Sequence, residues 1–241
     1  MKKIVSFGLF MFFLFGLVAV PAVSQTGDEI VEKMIEALGG RKVLEEIKDM
    51  TISMSVEIIS LELNATVINY IKEPNLGRID ISVMGVVITQ AFDGETAWRI
   101  DPQTGEIEDV IGEAQEYIKR ENLNYSALLH PEKFGITFSY KGREKIEDKD
   151  YLVLEQTFED GFIKTMYLDP ETYLTFKMVS KALNNMMMEV DQEAFEVEYK
   201  KVHGLMIAHS MTLFQDGERI MMSTVNEVKI NTGLEDSLFK K

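Results

Sequence analysis

Catalysis needs a nucleophile, a base or a metal ion held at fixed spacing. The three histidines, His130, His203 and His209, stand apart. None has metal-ligand spacing with another histidine or an acid on one helix face. The chain contains no cysteine, so thiol chemistry, thiolate–metal sites and disulfides are all excluded. No Gly-x-Ser-x-Gly, phosphate-cradling glycine loop or paired-carboxylate signature is present. With 40 Asp and Glu residues, close carboxylate pairs arise by chance and carry no weight. The expectation is a protein with no catalytic residues, no resident metal and no cofactor.

What remains is apolar chemistry. The 15 methionines include Met186-Met187-Met188 and Met221-Met222. An unbranched, polarizable thioether suits an adaptable binding surface as well as an ordinary core. Consecutive strand residues face opposite sides, so at most part of each cluster can face one cavity. Trp98, the single tryptophan, fits a core position or a cavity wall. Arg78 fits a solvated strand end or a polar latch.

The elements that must position these residues begin with a secretory pattern. Lys2 and Lys3 precede the apolar run Ile4 to Val20, and Pro21-Ala22-Val23-Ser24 supplies small residues at the cleavage positions. Residues 1–24 are expected to be a signal peptide cleaved after Ser24, leaving 25–241 as one domain that starts at Gln25. No cysteine follows the apolar run, so a lipid anchor is not expected. The net charge is −15, and the part that remains after cleavage is more negative still, since two lysines leave with the signal. That charge argues against nucleic acid and against electrostatic attachment to anionic lipid heads.

Thr26 or Asp28 can cap a helix over Asp28 to Leu38, which Gly39-Gly40 ends. Ile30, Val31, Met34, Ile35 and Leu38 form its apolar stripe. Val43, Leu44 and Ile47 point inward from a shorter helix. Strands follow near 50–59, 62–72, 77–84, 86–92 and 95–100, with Asp93-Gly94 as a hairpin signal. Val86, Ile88, Gln90 and Phe92 share one face of their strand. A helical insertion is expected at 107–121, with Val110, Ile111, Ala114, Tyr117 and Ile118 on one side. A further turn holds Leu123, Leu128 and Leu129. From Ile136 the chain reads as a long meander whose turns include Glu159-Asp160-Gly161, Asp169-Pro170-Glu171 and Asp216-Gly217. Phe195, Val197 and Tyr199 alternate with Glu196 and Glu198. The class is mainly antiparallel β (α+β). A sheet of about 11–12 strands must curl, close or split. A curled, incomplete barrel with helices laid over an apolar concave face uses every apolar stripe in the chain.

Several motifs, in their order and spacing, resemble the LolA-like family of outer membrane lipoprotein-sorting proteins. They are Pro74-Asn75-Leu76, Asp93-Gly94-x-Thr96-x-Trp98 and Asp101-Pro102, then Tyr167-Leu168-Asp169-Pro170-Glu171-Thr172, Tyr199-x-x-Val202-x-Gly204-Leu205 and the closing Ile230-Asn231-x-Gly233-Leu234-x-Asp236-Ser237-Leu238-Phe239. The resemblance implies an incomplete barrel with a helical lid over a cavity that holds lipoprotein acyl chains. It implies a monomeric periplasmic carrier, with a membrane-bound donor and acceptor as candidate partners. A sensory or regulatory protein-binding module of the same fold is the alternative. The expected cavity and lid residues are Ile30, Met34, Ile35, Leu38, Val86, Ile88, Trp98, Val110, Ile111 and Tyr117. The resemblance also implies a lid-latching arginine directly before Pro-Asn-Leu and an aromatic directly after it. This chain has Glu73 and Gly77 there. A carboxylate cannot donate hydrogen bonds, so Glu73 is expected to repel the lid carbonyls and favour an open or differently latched lid. Arg78 is the candidate substitute latch.

Overall fold

The computed structural model describes residues 25–241 except Asn185 and Met187. The proposed signal peptide lies outside the described residues, and the Met186–Met188 cluster lies partly outside them.

The first half of the sheet contains β1 (Asp49–Ile58), β2 (Leu63–Lys72), β3 (Leu76–Val83), β4 (Val86–Phe92), β5 (Ala97–Ile100) and β6 (Ile107–Val110). The second half contains β7 (Thr137–Ile146), β8 (Lys149–Thr157), β9 (Ile163–Leu168), β10 (Thr175–Leu183), β11 (Glu189–Val202), β12 (Leu205–Gln215) and β13 (Glu218–Ile230). Each half is a meander of antiparallel hairpins. They join where the first and last strands pair, Met50 opposite Ile230 and Ile58 opposite Met221. The result is one 13-stranded sheet in the order β6-β5-β4-β3-β2-β1-β13-β12-β11-β10-β9-β8-β7. It curls without closing, and β6 and β7 are its two free edges. Strand twist accumulates across so wide a sheet and makes one face concave.

The chain between those edges carries α3 (Glu113–Glu121), α4 (Tyr125–Leu129) and a 3-10 turn at Pro131–Phe134. The insertion is therefore the segment that connects the open edges. It is shorter than the periodicity of 107–121 suggests. Ile107–Val110 pairs with β5 as an edge strand. Gly112, at φ 68, separates strand from helix.

Two helices precede the sheet, α1 (Gly27–Leu38) and α2 (Arg41–Glu46). Thr26 and Glu29 form a reciprocal capping box at the start of α1. Gly27 presses on β7, where an added Cβ would stand 2.3 Å from the Phe138 carbonyl oxygen. Ile30, Val31, Met34 and Ile35 are buried with Leu152, Leu154, Met166 and Leu168 of the concave face. Each such side chain contributes roughly 1.5–3 kcal/mol on burial. Helix α1 is therefore part of the core.

The outer face of the first half carries a C-terminal strap. Asp49, itself buried, accepts hydrogen bonds from the backbone N–H groups of Thr232, Gly233 and Leu234. Lys72 Nζ donates to the Leu234 carbonyl and Asp236. Arg78 Nη1 donates to the Leu238 carbonyl at 3.2 Å. Trp98 Nε1 donates to the Phe239 carbonyl at 2.7 Å, and Phe239 is fully buried.

Candidate functional site

The concave face and the helices flank two adjoining chambers, each partly open. The larger, about 400 Å³, lies beneath α3, between Tyr117, Ile118, Glu121 and Asn122 of that helix and strand residues including Ile79, Gln90, Lys164, Met178, Gln192 and Leu213. The smaller, about 290 Å³, lies between Met34 and Leu38 of α1, Tyr125 of α4 and strand residues including Ile52, Met54, Glu196, Tyr199 and His209. Asn69 and Met211 line both. Six methionines contribute to the walls: Met34, Met54, Met178, Met206, Met211 and Met221.

The walls are more polar than the expected apolar face. Asn69, Ser180 and Gln192 line the larger chamber, and Glu196, Tyr199 and His209 the smaller. Alternation on β11 is the reason. Ala194 and Glu196 turn inward. Phe195 turns outward, edge-on to Phe176 and Phe214 at 5.6 Å.

The lid packs through Ile118, Ala127 and Leu129, each buried in an apolar cluster, and a few polar contacts add to this. Glu73 Oε1 accepts from the Tyr125 N–H and Oε2 from the Ser126 N–H, each at 3.0 Å. These are the first two helical residues of α4, whose N–H groups have no partner within the helix. A carboxylate there also meets the positive end of the helix dipole. Glu73 thus fastens the lid with the polarity opposite to that of an arginine. The expectation that it repels the lid is overturned, because it faces N–H donors instead of carbonyls. Burial pushes the Glu73 carboxyl above the usual range. The Ser126 and Tyr125 donors and the Lys48 charge pull it back only in part.

Gly77, the second departure, also lies under the lid. An added Cβ would stand 1.5 Å from Asn122 Oδ1, so the glycine makes room for the C-cap residue of α3. Lys164 Nζ donates to Glu121 at 2.9 Å. Arg120 pairs with Asp160 at 2.5 Å and stacks on Phe162, 4.1 Å to the ring centre.

Other expected residues fall in different places. Met34, Leu38 and Tyr117 line the chambers, and burial lifts the Tyr117 phenol to about 12. Ile30 and Ile35 are fully buried in the α1 core. Val110 and Ile111 precede α3, lining a cleft beside it, and Ile111 is 76% exposed. Val86 and Ile88 are exposed on β4 near the β3–β4 hairpin tip and line neither chamber. Trp98 and Arg78 are on the outer face beneath the strap, so neither touches the cavity or the lid. Arg78 also chelates Asp80 through Nε and Nη2. Among the described residues, no group of three or more His, Asp or Glu is placed to hold a metal ion.

Three solved structures share this architecture over almost their whole length. A DUF1329 family protein from Desulfovibrio piger matches with a TM-score of 0.61 at 13% identity, covering 90% of this chain and 98% of that one. A LolA superfamily protein from Nitrosomonas europaea matches with a TM-score of 0.59 at 13% identity, covering 90% and 99%. The fold is LolA-like. A domain assigned as an outer membrane lipoprotein-sorting protein, from Vibrio parahaemolyticus, matches with a TM-score of 0.57 at 15% identity, covering 89% and 96%. No family model matches the sequence, and no curated protein matches it. The LolA-like fold is thus shared where the sequences have diverged. Glu73 and Gly77 sit at the lid contacts of this LolA-like fold.

Proposed function

We propose that this protein is a periplasmic carrier that shields the acyl chains of a lipoprotein or lipid beneath its helical lid. The observation that carries this reading is the pair of adjoining, part-open chambers with six methionines in their walls, lying beneath helices tied to the sheet by few polar contacts. Chambers of about 400 and 290 Å³ are of the order of small-molecule sites, roughly 300–1,000 Å³. Each buried methylene contributes about 0.8 kcal/mol, so one long chain binds tightly without any charged contact. Release then requires the lid to lift, and ties such as Glu73 to α4 can break without unfolding the sheet. In this reading Met34, Leu38 and Tyr117 touch ligand in the closed form. Val110 and Ile111 flank an opening beside α3, and Val86 and Ile88 meet longer chains at the mouth. A membrane-bound donor and acceptor would load and unload the carrier. The similarity to a lipoprotein-sorting domain supports the same class of ligand.

Native mass spectrometry after gentle purification tests the proposal. The expected result is a protein peak carrying lipid mass that collisional activation removes. A stoichiometric bound protein with no lipid would replace the carrier with a regulatory module. Steady hydrolysis of a lipid ester would replace it with an enzyme.

A further inference from the structure

The smaller chamber carries a polar cluster that acyl shielding leaves unused. Glu196 and Tyr199 both lie on β11 and both line it. Three residues apart on a regular strand, they would face opposite sides. Glu198, between them, takes φ 56 and is absent from the pairing with β12, and the two side chains meet. The Tyr199 hydroxyl stands 2.7 Å from Glu196 Oε2 and 2.9 Å from the Thr175 carbonyl oxygen.

A phenol has one proton. The Thr175 carbonyl and the Glu196 carboxylate both accept, and the Tyr199 hydroxyl donates between them, with the shorter contact to Glu196 Oε2. Burial raises the Glu196 carboxyl, against the opposing pull of the Tyr199 donor and the Lys164 charge. Its hydrogen-bond partner is Tyr199, and Oε1 is left to accept. On the neighbouring strand, His209 Nδ1 lies 2.9 Å from the Ile207 carbonyl oxygen. That carbonyl requires the proton on Nδ1, so in the tautomer this bond selects Nε2 is the ring's acceptor.

The surrounding charge is lopsided. Glu121 and Glu196 line the joined chambers, and Glu73 fastens the lid beside Tyr125. Lys164, the single lysine among the lining residues, is already paired with Glu121. An anionic head group finds no free cation there and meets carboxylates. A hydroxyl or amine finds acceptors.

We propose that the cavity selects a lipid whose buried polar group is a hydrogen-bond donor, a hydroxyl or an amine, and that Glu196 and His209 recognise it. This rests on the lipid-binding reading above and specifies its ligand class.

The test is displacement of Nile red, a neutral apolar dye, from the purified protein. The competitors are dodecanol, dodecyl methyl ether, which lacks the donor proton, and dodecanoate. Dodecanol is expected to compete at concentrations about tenfold lower than the ether, as for one well-made hydrogen bond, and dodecanoate no better than the ether. Glu196→Gln keeps a bond to Tyr199 and an accepting oxygen, so the preference should survive. Glu196→Leu removes the acceptor and should reduce the preference to less than twofold. Equal competition by all three ligands in the wild-type protein overturns the proposal, as does a preference that persists in Glu196→Leu. If the leucine variant does not fold, the wild-type ratio and the glutamine variant still decide. Failure of the protein to take up Nile red and all three ligands overturns the carrier reading as well.

Discussion

Deleting the Glu73 carboxylate should unfasten α4 and quicken ligand release. In the wild-type protein the carboxylate accepts from two helix-terminal N–H groups at 3.0 Å. Hydrogen bonds to a charged acceptor contribute about 1.5–3 kcal/mol each before desolvation. Desolvation cancels much of this, as the raised carboxyl shows. The net effect should resemble loss of a helix N-cap, about 0.5–2 kcal/mol. At about 1.4 kcal/mol per power of ten, Glu73→Ala should raise the open population roughly two- to thirty-fold. Glu73→Gln keeps one acceptor but points an amide donor at the second N–H, so it should fall between wild type and alanine. Glu73→Arg sets a cation against the positive end of the helix and should open the lid most. Hydrogen exchange at Tyr125 and Ser126 reads the opening, and the release rate of a fluorescent fatty alcohol reads its consequence. A raised carboxyl means that the closed form holds the proton more tightly than the open one. The stabilisation it brings is full below the ordinary value of 4.5 and is lost as pH rises through the raised value. Acidification from neutral pH should therefore slow release. Glu196, raised in the same direction, should preserve part of that slope in Glu73→Ala. Exchange and release unchanged within twofold in Glu73→Ala, or slower release in Glu73→Arg, would refute the latch.

Gly77→Ala should push Asn122 off the sheet and break its bond to the Ile118 carbonyl, 2.7 Å in the native protein. A loss of about 1–3 kcal/mol is expected, as for overpacking. Thermal melts should show it, and adding Asn122→Ala should reverse most of it. Arg78→Ala should loosen the C-terminal strap and lower the melting temperature while leaving lipid release unchanged, because Arg78 holds Leu238 on the outer face. Trp98→Phe strands the Phe239 carbonyl in a buried site, at a cost of about 1–3 kcal/mol that denaturant titration can measure. Burial raises the Asp169 carboxyl, but the Lys149 ammonium and the Thr172 and Glu171 N–H groups outweigh it and hold the carboxyl at about 2. Its contribution to stability is present above the ordinary value of 3.8 and should fade as pH falls toward about 2. In Asp169→Asn, acid titration should show a shallower decline over that range.

Local chemistry made much of the architecture legible. Turn pairs such as Asp93-Gly94 and Asp216-Gly217, flanked by alternating residues, mark hairpins because their backbone demands are met within four residues. The α1 stripe and its Thr26 cap are equally local. What the sequence could not specify depends on which face of the sheet curls inward and on contacts far apart in the chain. Period-two alternation sorts β11 into two sets of residues but does not say which set faces the cavity. The curl put Glu196 inside and Phe195 outside. Trp98 and Arg78 could be read as cavity and latch residues until the last residues of the chain covered them on the outer face. Glu73 reads as a latch lost as long as only carbonyls are imagined opposite it. The tertiary structure brings the start of α4, some fifty residues downstream, to within hydrogen-bond distance. An N–H donor turns the same carboxylate from a repulsive group into the lid's fastening.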